Sequence, residues 1–188
     1  MAKVILGTTM SLDGFINDSN GSVAALYPDL ETWRDTKPGR ESIQNTGAVV
    51  MGRNSFAMAA DPDSLADDYE YQVPIFVLTH RPPKKQPKEN SSLTFTFVAD
   101  GIASAIRQAK EAAGEKDVTV IGATNTAQQC LKAGLADELH IDIMPILLGD
   151  GLRFFDGRGV AEVALERLKV VELPNGRIHL RFRVLDKG

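Results

Sequence analysis

The sequence contains a short apolar run at 48–51 that is followed at once by Gly52, Arg53, Asn54 and Ser55. A β-branched run closed by glycine predicts a buried strand, and asparagine or serine can open a helix after it. Backbone N–H groups at a helix start bind phosphate, and an arginine guanidinium adds a fixed positive charge. These four residues therefore predict a phosphate-binding turn. A plain strand-to-helix turn with a surface arginine is the alternative.

Two further runs end in residues suited to the same chemistry. The run at 74–79 delivers a hydroxyl, an imidazole and a guanidinium in succession, and the run at 118–121 delivers small residues and hydroxyls into another helix start. Cations and donors together suit a phosphorylated ribose, whereas small residues let a backbone approach a pyrophosphate. The residues concerned are Leu78, Thr79, His80 and Arg81 in the first run and Gly122, Ala123, Thr124, Asn125 and Thr126 in the second. A solvated loop and a tight turn into a capped helix are the respective alternatives.

The elements that would position these turns alternate along the chain. The predicted strands are 4–10, 48–51, 74–79, 93–98, 118–121, 138–144, 165–173 and 177–185, and the predicted helices are 29–44, a short one from 54 or 55, one capped by Asp100, and 124–133. Asn175-Gly176 between the last two strands is typical of a hairpin. We therefore predict one α/β domain over residues 1–188, with three αβα layers and a mostly parallel sheet that ends in an antiparallel C-terminal hairpin. Ligands of such sheets bind beyond the carboxyl ends of the strands, where the three turns fall.

Composition excludes several classes of protein. The 188 residues are 43% hydrophobic and 24% charged with a net charge of −4, which is typical of a packed globule and argues against a nucleic-acid partner. No apolar stretch approaches the roughly 20 residues of a membrane span, and no secretory leader is evident. The single Cys130 cannot form an intrachain disulfide, so we expect a buried structural thiol in a cytoplasmic protein.

Histidine and cysteine residues do not form a cluster with the spacing of metal ligands, so we expect no metal. His140 and Asp142 share one face of the strand at 138–144. We interpret that face as solvated or covered by a helix.

The order and spacing of several segments resemble the dihydrofolate-reductase-like superfamily. The segments are 10–16 (MSLDGFI), 50–53 (VMGR), 76–79 (FVLT), 120–122 (VIG) and 134–139 (GLADEL) running into 145–151 (PILLGDG). The chain looks most similar to small bacterial proteins that resemble the C-terminal reductase domain of the bifunctional riboflavin-biosynthesis deaminase-reductase. The resemblance implies the reductase α/β fold, a homodimer, and NADPH bound by the three turns described above.

The resemblance also implies a reaction, in which a hydride passes from the nicotinamide to a ribosylamino-pyrimidine and a proton reaches the nitrogen of the reduced C=N bond. Asp13, in a glycine turn after the first strand, is one candidate proton donor. Asp29, in a segment similar to the acid-bearing helix of folate reductases, is the other. The alternatives are that Asp13 closes an Asp–Gly turn and that Asp29 caps a helix.

Two positions depart from the family pattern. Folate reductases carry two glycines joined by a cis peptide where this chain has Gly122-Ala123, and a non-proline cis bond costs ~3 kcal/mol. Riboflavin-pathway reductases have a glutamate where this chain has Ile121. We therefore expect an NADPH-dependent reductase of a pyrimidine or pterin-like heterocycle, with 5-amino-6-(5-phosphoribosylamino)uracil as one such substrate. A nucleotide-binding module without turnover and dihydrofolate reductase activity are the alternatives.

The last predicted strand alternates apolar residues with Arg177, His179, Arg181 and Arg183. A hairpin at a sheet edge invites self-association unless it is covered or charged. We expect a homodimer built partly from these strands, with their basic face against an acidic patch such as 61–68 of the second copy. A monomer with a solvated basic face is the alternative.

Overall fold

The protein is described by a computed structural model that covers residues 2–59, 61–122, 124–156 and 162–185. Its strands are β1 Val4–Ser11, β2 Thr46–Gly52, β3 Ile75–Leu78, β4 Phe95–Val98, β5 Asp117–Ile121, β6 Glu138–Met144, β7 Ala164–Glu172 and β8 Ile178–Leu185. They form one sheet in the order β4-β3-β2-β5-β1-β6-β8-β7. The first six strands of that order are parallel, and β8 and β7 are antiparallel. The predicted sheet is confirmed.

The helices lie on both faces of this sheet. They are α1 Leu30–Asp35, α2 Lys37–Asn45, α3 Arg53–Phe56, α4 Leu65–Asp68, α5 Ile102–Ala113 and α6 Thr124–Lys132. The apolar sides of α5 and α6 pack on one face, where Ile106, Ala109 and Ala127 join the buried valines and leucines of the central strands. This face is a conventional hydrophobic core. Among the described residues, no helix is long and apolar enough to cross a membrane.

The first predicted helix is divided in two. Thr36 has an extended backbone and ends α1, and its hydroxyl accepts a hydrogen bond from Gly39 N at 3.1 Å, which caps α2. Pro38 therefore lies in the first turn of α2, where a missing N–H costs nothing. The Pro-Gly pair thus starts a new helix.

The C-terminal hairpin forms as predicted. Asn175 and Gly176 both have positive φ, at 62° and 75°, and Leu173 N donates to Arg177 O at 2.8 Å across the turn. Asparagine and glycine are the residues that tolerate this conformation best.

Cys130 is fully buried, and burial raises the pKa of its thiol to about 12. The thiol is therefore protonated and unreactive at neutral pH, which confirms the expected structural role.

Candidate functional site

The three predicted turns lie side by side. β3, β2 and β5 are neighbours in the sheet, with Gly52 paired to Leu78 and Met51 paired to Ile121. Because these strands are parallel, all three end at the same edge. We call this edge, formed by 52–55, 78–81 and 122–126, the carboxyl edge. Ala123 lies outside the described residues.

Two glycines allow the turns of the carboxyl edge to pack closely against each other. A Cβ on Gly52 would lie 2.6 Å from Thr126 Oγ1, and a Cβ on Gly122, whose φ is 125°, would collide with Ser55 Oγ. Contacts under 3.0 Å essentially never occur for real Cβ atoms. The turn after β2 therefore interlocks with the turn after β5, and the glycines are required by the chain's own packing.

The hydroxyls at this edge contact the chain itself. Thr79 Oγ1 accepts from Arg81 N at 3.1 Å, which shapes the turn after β3, and Thr124 Oγ1 donates to Arg153 O at 2.5 Å. Both threonines are buried. Asn54 and Asn125 are exposed, and Asn125 Oδ1 accepts from Gln129 Nε2 at 2.5 Å.

The cations of the carboxyl edge are exposed. Arg53, His80 and Arg81 all face solvent, and none of them forms an ion pair with any residue that the structure describes. Two guanidinium groups without carboxylate partners give this edge a positive charge, which suits a phosphorylated ligand.

The Asp13 side chain links the turn after β1 to the loop after β6 through hydrogen bonds. Ser11 Oγ donates to its carboxylate at 2.5 Å, and the backbone N–H groups of Leu148 and Gly149 donate at 3.1 and 2.8 Å. The Ser11 hydroxyl, supported by the two backbone donors and opposed by burial, lowers the pKa of Asp13 to about 2. The group is therefore ionised at neutral pH and occupied by donors. This geometry supports the alternative of a structured Asp–Gly turn.

Asp29 is the first residue of a chain of buried ion pairs. It precedes α1, but its side chain makes no capping hydrogen bond. Its carboxylate instead accepts from Arg177 Nη2 at 2.5 Å, and Arg177 Nη1 donates to Asp142 at 3.2 Å. The Arg177 side chain is only 2% exposed. Asp29 is therefore tied to the start of β8 through Arg177.

A cleft lies on the face opposite the conventional core, between the sheet and α1–α2. It encloses about 650 Å³, counting its open mouth. Its aromatic wall consists of Tyr27, Trp33 and Tyr71, and its polar floor includes Thr9, Thr119, His140, Asp142 and His179. Glu70 and Arg177 also line it, and Ile121 is where it meets the carboxyl edge, one residue before Gly122. The cleft therefore joins an aromatic wall to hydrogen-bonding groups beside the predicted phosphate site.

Hydrogen bonds fix the state of the histidines on this floor. Arg181 Nε, which can only donate, lies 3.0 Å from His179 Nε2, while His179 Nδ1 lies 2.6 Å from Asp142. Nε2 must therefore accept and Nδ1 must carry the proton, so His179 is neutral. Burial lowers the pKa of His140, whose Nε2 lies 2.9 Å from Glu138. The lowered pKa favours the uncharged form of the His140 ring at neutral pH.

The sequence interpretation missed this floor and misplaced the basic face of the last strand. His140 and Asp142 do lie on a helix-covered face, as expected, but that face lines a cleft. Arg177 and Arg181 do not face solvent or a second copy, because they pair with Asp29, Asp142 and Glu41 of their own chain. The predicted acidic partner is also engaged, since Asp63 pairs with Lys85 and Asp67 with Lys88. Two of the arginines and part of the acidic patch are therefore engaged within their own chain, and the homodimer stays a prediction.

The sheet order, the strand-end turns and the adjoining cleft define a dihydrofolate-reductase-like α/β protein. The sequence matches the family of the RibD C-terminal domain over residues 2–179. The chain therefore belongs to that family of reductase-like domains, which implies an oxidoreductase, and the resemblance seen in the sequence is confirmed.

Solved structures agree on the fold. A putative riboflavin biosynthesis protein from Shewanella sp. PV-4 has a TM-score of 0.77 and 24% identity, over 99% of this chain and 100% of that chain. A diaminohydroxyphosphoribosylaminopyrimidine deaminase/5-amino-6-(5-phosphoribosylamino)uracil reductase from Thermotoga maritima gives 0.66 and 14%, over 98% and 57%. Dihydrofolate reductase from Enterococcus faecalis, complexed with NADP(H), gives 0.62 and 13%, over 98% and 97%.

Proposed function

We propose that the protein is an NADPH-dependent reductase of a pyrimidine or pterin-like heterocycle. The observation that carries the proposal is the junction at Ile121, where an aromatic-walled cleft meets an edge whose exposed cations have no carboxylate partner among the described residues. Family membership supports the reaction class.

The carboxyl edge is the proposed cofactor site. Arg53 would bind a phosphate at the start of α3, and Arg81 with His80 would bind the 2′-phosphate, which carries a charge of roughly −1.5 to −2 if it ionises like other phosphate monoesters. The segment 122–126 would support the pyrophosphate. Arg53, His80 and Arg81 are exposed and have no carboxylate partner among the described residues, which makes them available to a phosphorylated ligand. NADPH, when bound, supplies the hydride, and the chain has to position the two reactants and exclude water.

The cleft is the proposed substrate site. Tyr27, Trp33 and Tyr71 would pack on a planar ring, and the polar floor would contact its edge. Burial raises the pKa of both tyrosine hydroxyls, so they stay protonated and can donate.

A nucleotide-binding module without turnover is the second candidate. Asp13 accepts three hydrogen bonds with a pKa of about 2, and Asp29 is paired with Arg177. Asp13 is ionised at neutral pH and Asp29 is held by an arginine of its own chain, and this favours the module.

A fluorescence titration tests the cofactor assignment. Trp33 is the single tryptophan of the chain and lines the cleft that adjoins the proposed cofactor site, so bound NADPH should quench its fluorescence. We expect NADPH to bind about tenfold more tightly than NADH, and R81A to remove most of that preference. R167A, on exposed β7, is the matched control and should leave both affinities unchanged. Equal affinities for the two cofactors in the unsubstituted protein would contradict the assignment.

Turnover separates the two candidates. Purified protein that binds NADPH and oxidises it in the presence of a reducible pyrimidine or dihydropterin is an enzyme. Binding without oxidation across both substrate classes would favour the module.

We also propose a homodimer, now through the exposed apolar residues of the hairpin. Leu165, Val170 and Ile178 are 41%, 51% and 38% exposed, and β7 is a free sheet edge. Exposed apolar residues on an unpaired edge favour association with a second copy. Light scattering at micromolar concentration should give twice the 20.4 kDa chain mass, and V170K should lower it. A constant mass near that of one chain would refute the dimer.

A further inference from the structure

Several polar side chains of the cleft are already engaged within the chain. The engaged groups are Asp142 with Arg177 and His179, Tyr71 with Ser42 at 2.8 Å, and Thr119 with Thr46 at 2.7 Å. A ligand has to compete with the chain itself for these groups. Polar atoms that the chain leaves without a partner are therefore the better guide to what the cleft binds.

The indole of Trp33 is a donor without a partner. Trp33 lines the cleft from α1, and its Nε1 is buried with no hydrogen-bond partner among the described residues. An indole N–H can only donate, and a buried donor that is left unpaired destabilises the protein. Because Nε1 is screened from solvent, only a group seated in the cleft against the indole can supply the missing acceptor.

His140 supplies a complementary acceptor. Its Nε2 lies 2.9 Å from Glu138, whose pKa of about 2 keeps that carboxyl ionised and able only to accept. Nε2 therefore carries the proton, and because burial lowers the pKa of the ring, Nδ1 is an unprotonated acceptor in the form favoured at neutral pH.

Nδ1 of His140 is also the ring nitrogen that remains for a ligand. Glu138 lines a neighbouring cavity and not the cleft, so Nε2 is occupied on the far side of the ring. Nδ1 makes no hydrogen bond with a described residue, and it is not one of the sealed atoms that lack a partner. The cleft thus offers one free donor and one free acceptor.

The register of the sheet leaves room beside this acceptor. Gly7 is paired with Ile121 of β5 on one side and with His140 of β6 on the other, and all three line the cleft. The floor therefore has no side chain between the imidazole and the junction with the carboxyl edge. A Cβ at Gly7 would meet Thr119 at an ordinary 3.6 Å, so the packing of the described residues does not require glycine here. The missing side chain leaves space for a planar ring.

We propose that the cleft selects a heterocycle with a lactam edge, in which a ring N–H donates to His140 Nδ1 and the adjoining carbonyl accepts from Trp33 Nε1. The ring lies over Gly7, next to Ile121. The inference rests on the proposed function, because it takes the cleft as the substrate site, and it narrows the substrate class to oxo-pyrimidines and oxo-pteridines. An amino analogue reverses both groups, since it presents a bare ring nitrogen to His140 and an N–H to the indole.

A matched pair of ligands tests the proposal without turnover. Pterin and 2,4-diaminopteridine share one ring system and differ in a carbonyl with its adjoining N–H against an amino group with a bare ring nitrogen. We expect pterin to bind about tenfold more tightly at neutral pH, measured by calorimetric titration, because a site built to pair polar groups rejects a ligand that leaves them unpaired. Equal affinities, or tighter binding of the diamino compound, would overturn the proposal.

W33F isolates the donor, because it removes the indole N–H and keeps an aromatic ring in the cleft wall. We expect pterin to bind about fivefold more weakly to this variant, with the affinity for 2,4-diaminopteridine changed less than about twofold. Y69F is the matched control, since it changes a ring that packs on Tyr71 but does not line the cleft, and it should leave both affinities unchanged. Equal weakening of the two compounds in W33F would show that the indole acts by packing alone and would refute its role as donor.

G7V tests where the ring lies. Valine suits a strand, but its side chain fills the floor between Ile121 and His140, so we expect both compounds to bind more than about tenfold more weakly while the variant unfolds at the same urea concentration. Unchanged binding by folded G7V would place the ring elsewhere and overturn the proposed position. If G7V does not fold, W33F and the ligand pair still decide the proposal.

Failure of the proposed function gives a different pattern. If neither compound binds the unsubstituted protein at millimolar concentration, the cleft is not a heterocycle site, and this proposal fails together with the assignment of the substrate. If both bind with equal affinity, the substrate site stands and only the lactam selectivity is refuted. The NADPH titration described above decides the cofactor assignment separately.

Discussion

The candidate site has two regions that differ in how their arginines are neutralised. Arg53 and Arg81 at the carboxyl edge are exposed and have no ion pair among the described residues, whereas Arg177 in the cleft and Arg181 beside it are buried or half-buried and paired with carboxylates of their own chain. An exposed cation is solvated and available to an anionic ligand. A buried one must be neutralised by its own chain, because leaving it unpaired costs several kcal/mol. The same residue type is therefore available to an anionic ligand in one region and fixes geometry in the other.

The largest expected effect comes from breaking the buried pairs. R177M removes the cation between Asp29 and Asp142 and leaves two buried carboxylates without a counterion. We expect a loss of about 3–5 kcal/mol in the free energy of unfolding. Urea denaturation of the variant and the unsubstituted protein measures it.

R183M is the matched control, because Arg183 in β8 forms an exposed pair with Glu166 in β7, with side chains that are 54% and 50% exposed. Exposed pairs contribute ~0–1 kcal/mol. Similar losses for the two variants would contradict the division into two regions.

The next effect tests whether the carboxyl edge is held by its own packing. G122A places a Cβ against Ser55 at a backbone φ of 125°, so steric overlap adds to backbone strain. We expect a loss of about 2–4 kcal/mol in stability. G21A has a φ of 80° with nothing near the new methyl group, and should lose only ~1 kcal/mol. Equal losses would mean that the interlock with Ser55 contributes nothing.

The fold and the carboxyl edge were accessible from the sequence, because both depend on local patterns. Short apolar runs in the sequence predict the strands. Because the strands are parallel, their carboxyl ends lie at one edge of the sheet. The division of 29–44 was not accessible by periodicity alone, since it depends on the hydroxyl of Thr36 capping the second helix.

The polar floor of the cleft depends on the pairing of β6 with β8, which the alternation of residues within each strand does not predict. Asp142 and His179 are direct partners across β6 and β8, and His140 is opposite Arg181. Each strand alone shows an unremarkable alternation of polar and apolar residues. A signal was present in the complementary charges of the two alternations, but it becomes informative only once the two strands are placed next to each other.

A smaller effect tests the free cations of the edge. R53A should weaken NADPH binding about tenfold, because the guanidinium is available to a phosphate, and should change the free energy of unfolding by less than about 0.5 kcal/mol. Calorimetric titration and urea denaturation measure the two quantities on one preparation. A large loss of stability with unchanged NADPH affinity would place Arg53 with the structural arginines.

The smallest effect concerns the pH dependence of stability at the far end of the cleft floor. A hydrogen bond from His140, opposed by burial and reinforced by Lys3, lowers the pKa of Glu138 to about 2. In the unfolded chain this carboxyl titrates near 4.3, so between these values the unfolded state binds more protons and stability rises with pH. The contribution of Glu138 to stability is complete above about pH 5 and is lost as the pH falls towards 2.

We expect E138Q to flatten this part of the stability curve by about 1 kcal/mol, whereas E111Q, on the exposed side of α5, should leave its shape unchanged. Because His140 is neutral when it makes this bond, the slope should persist in 0.5 M salt, whereas a slope that arose from exposed pairs such as Lys88–Asp67 would be screened. An unchanged curve in E138Q would show that the pair of Glu138 and His140 does not contribute to the acid stability of the cleft.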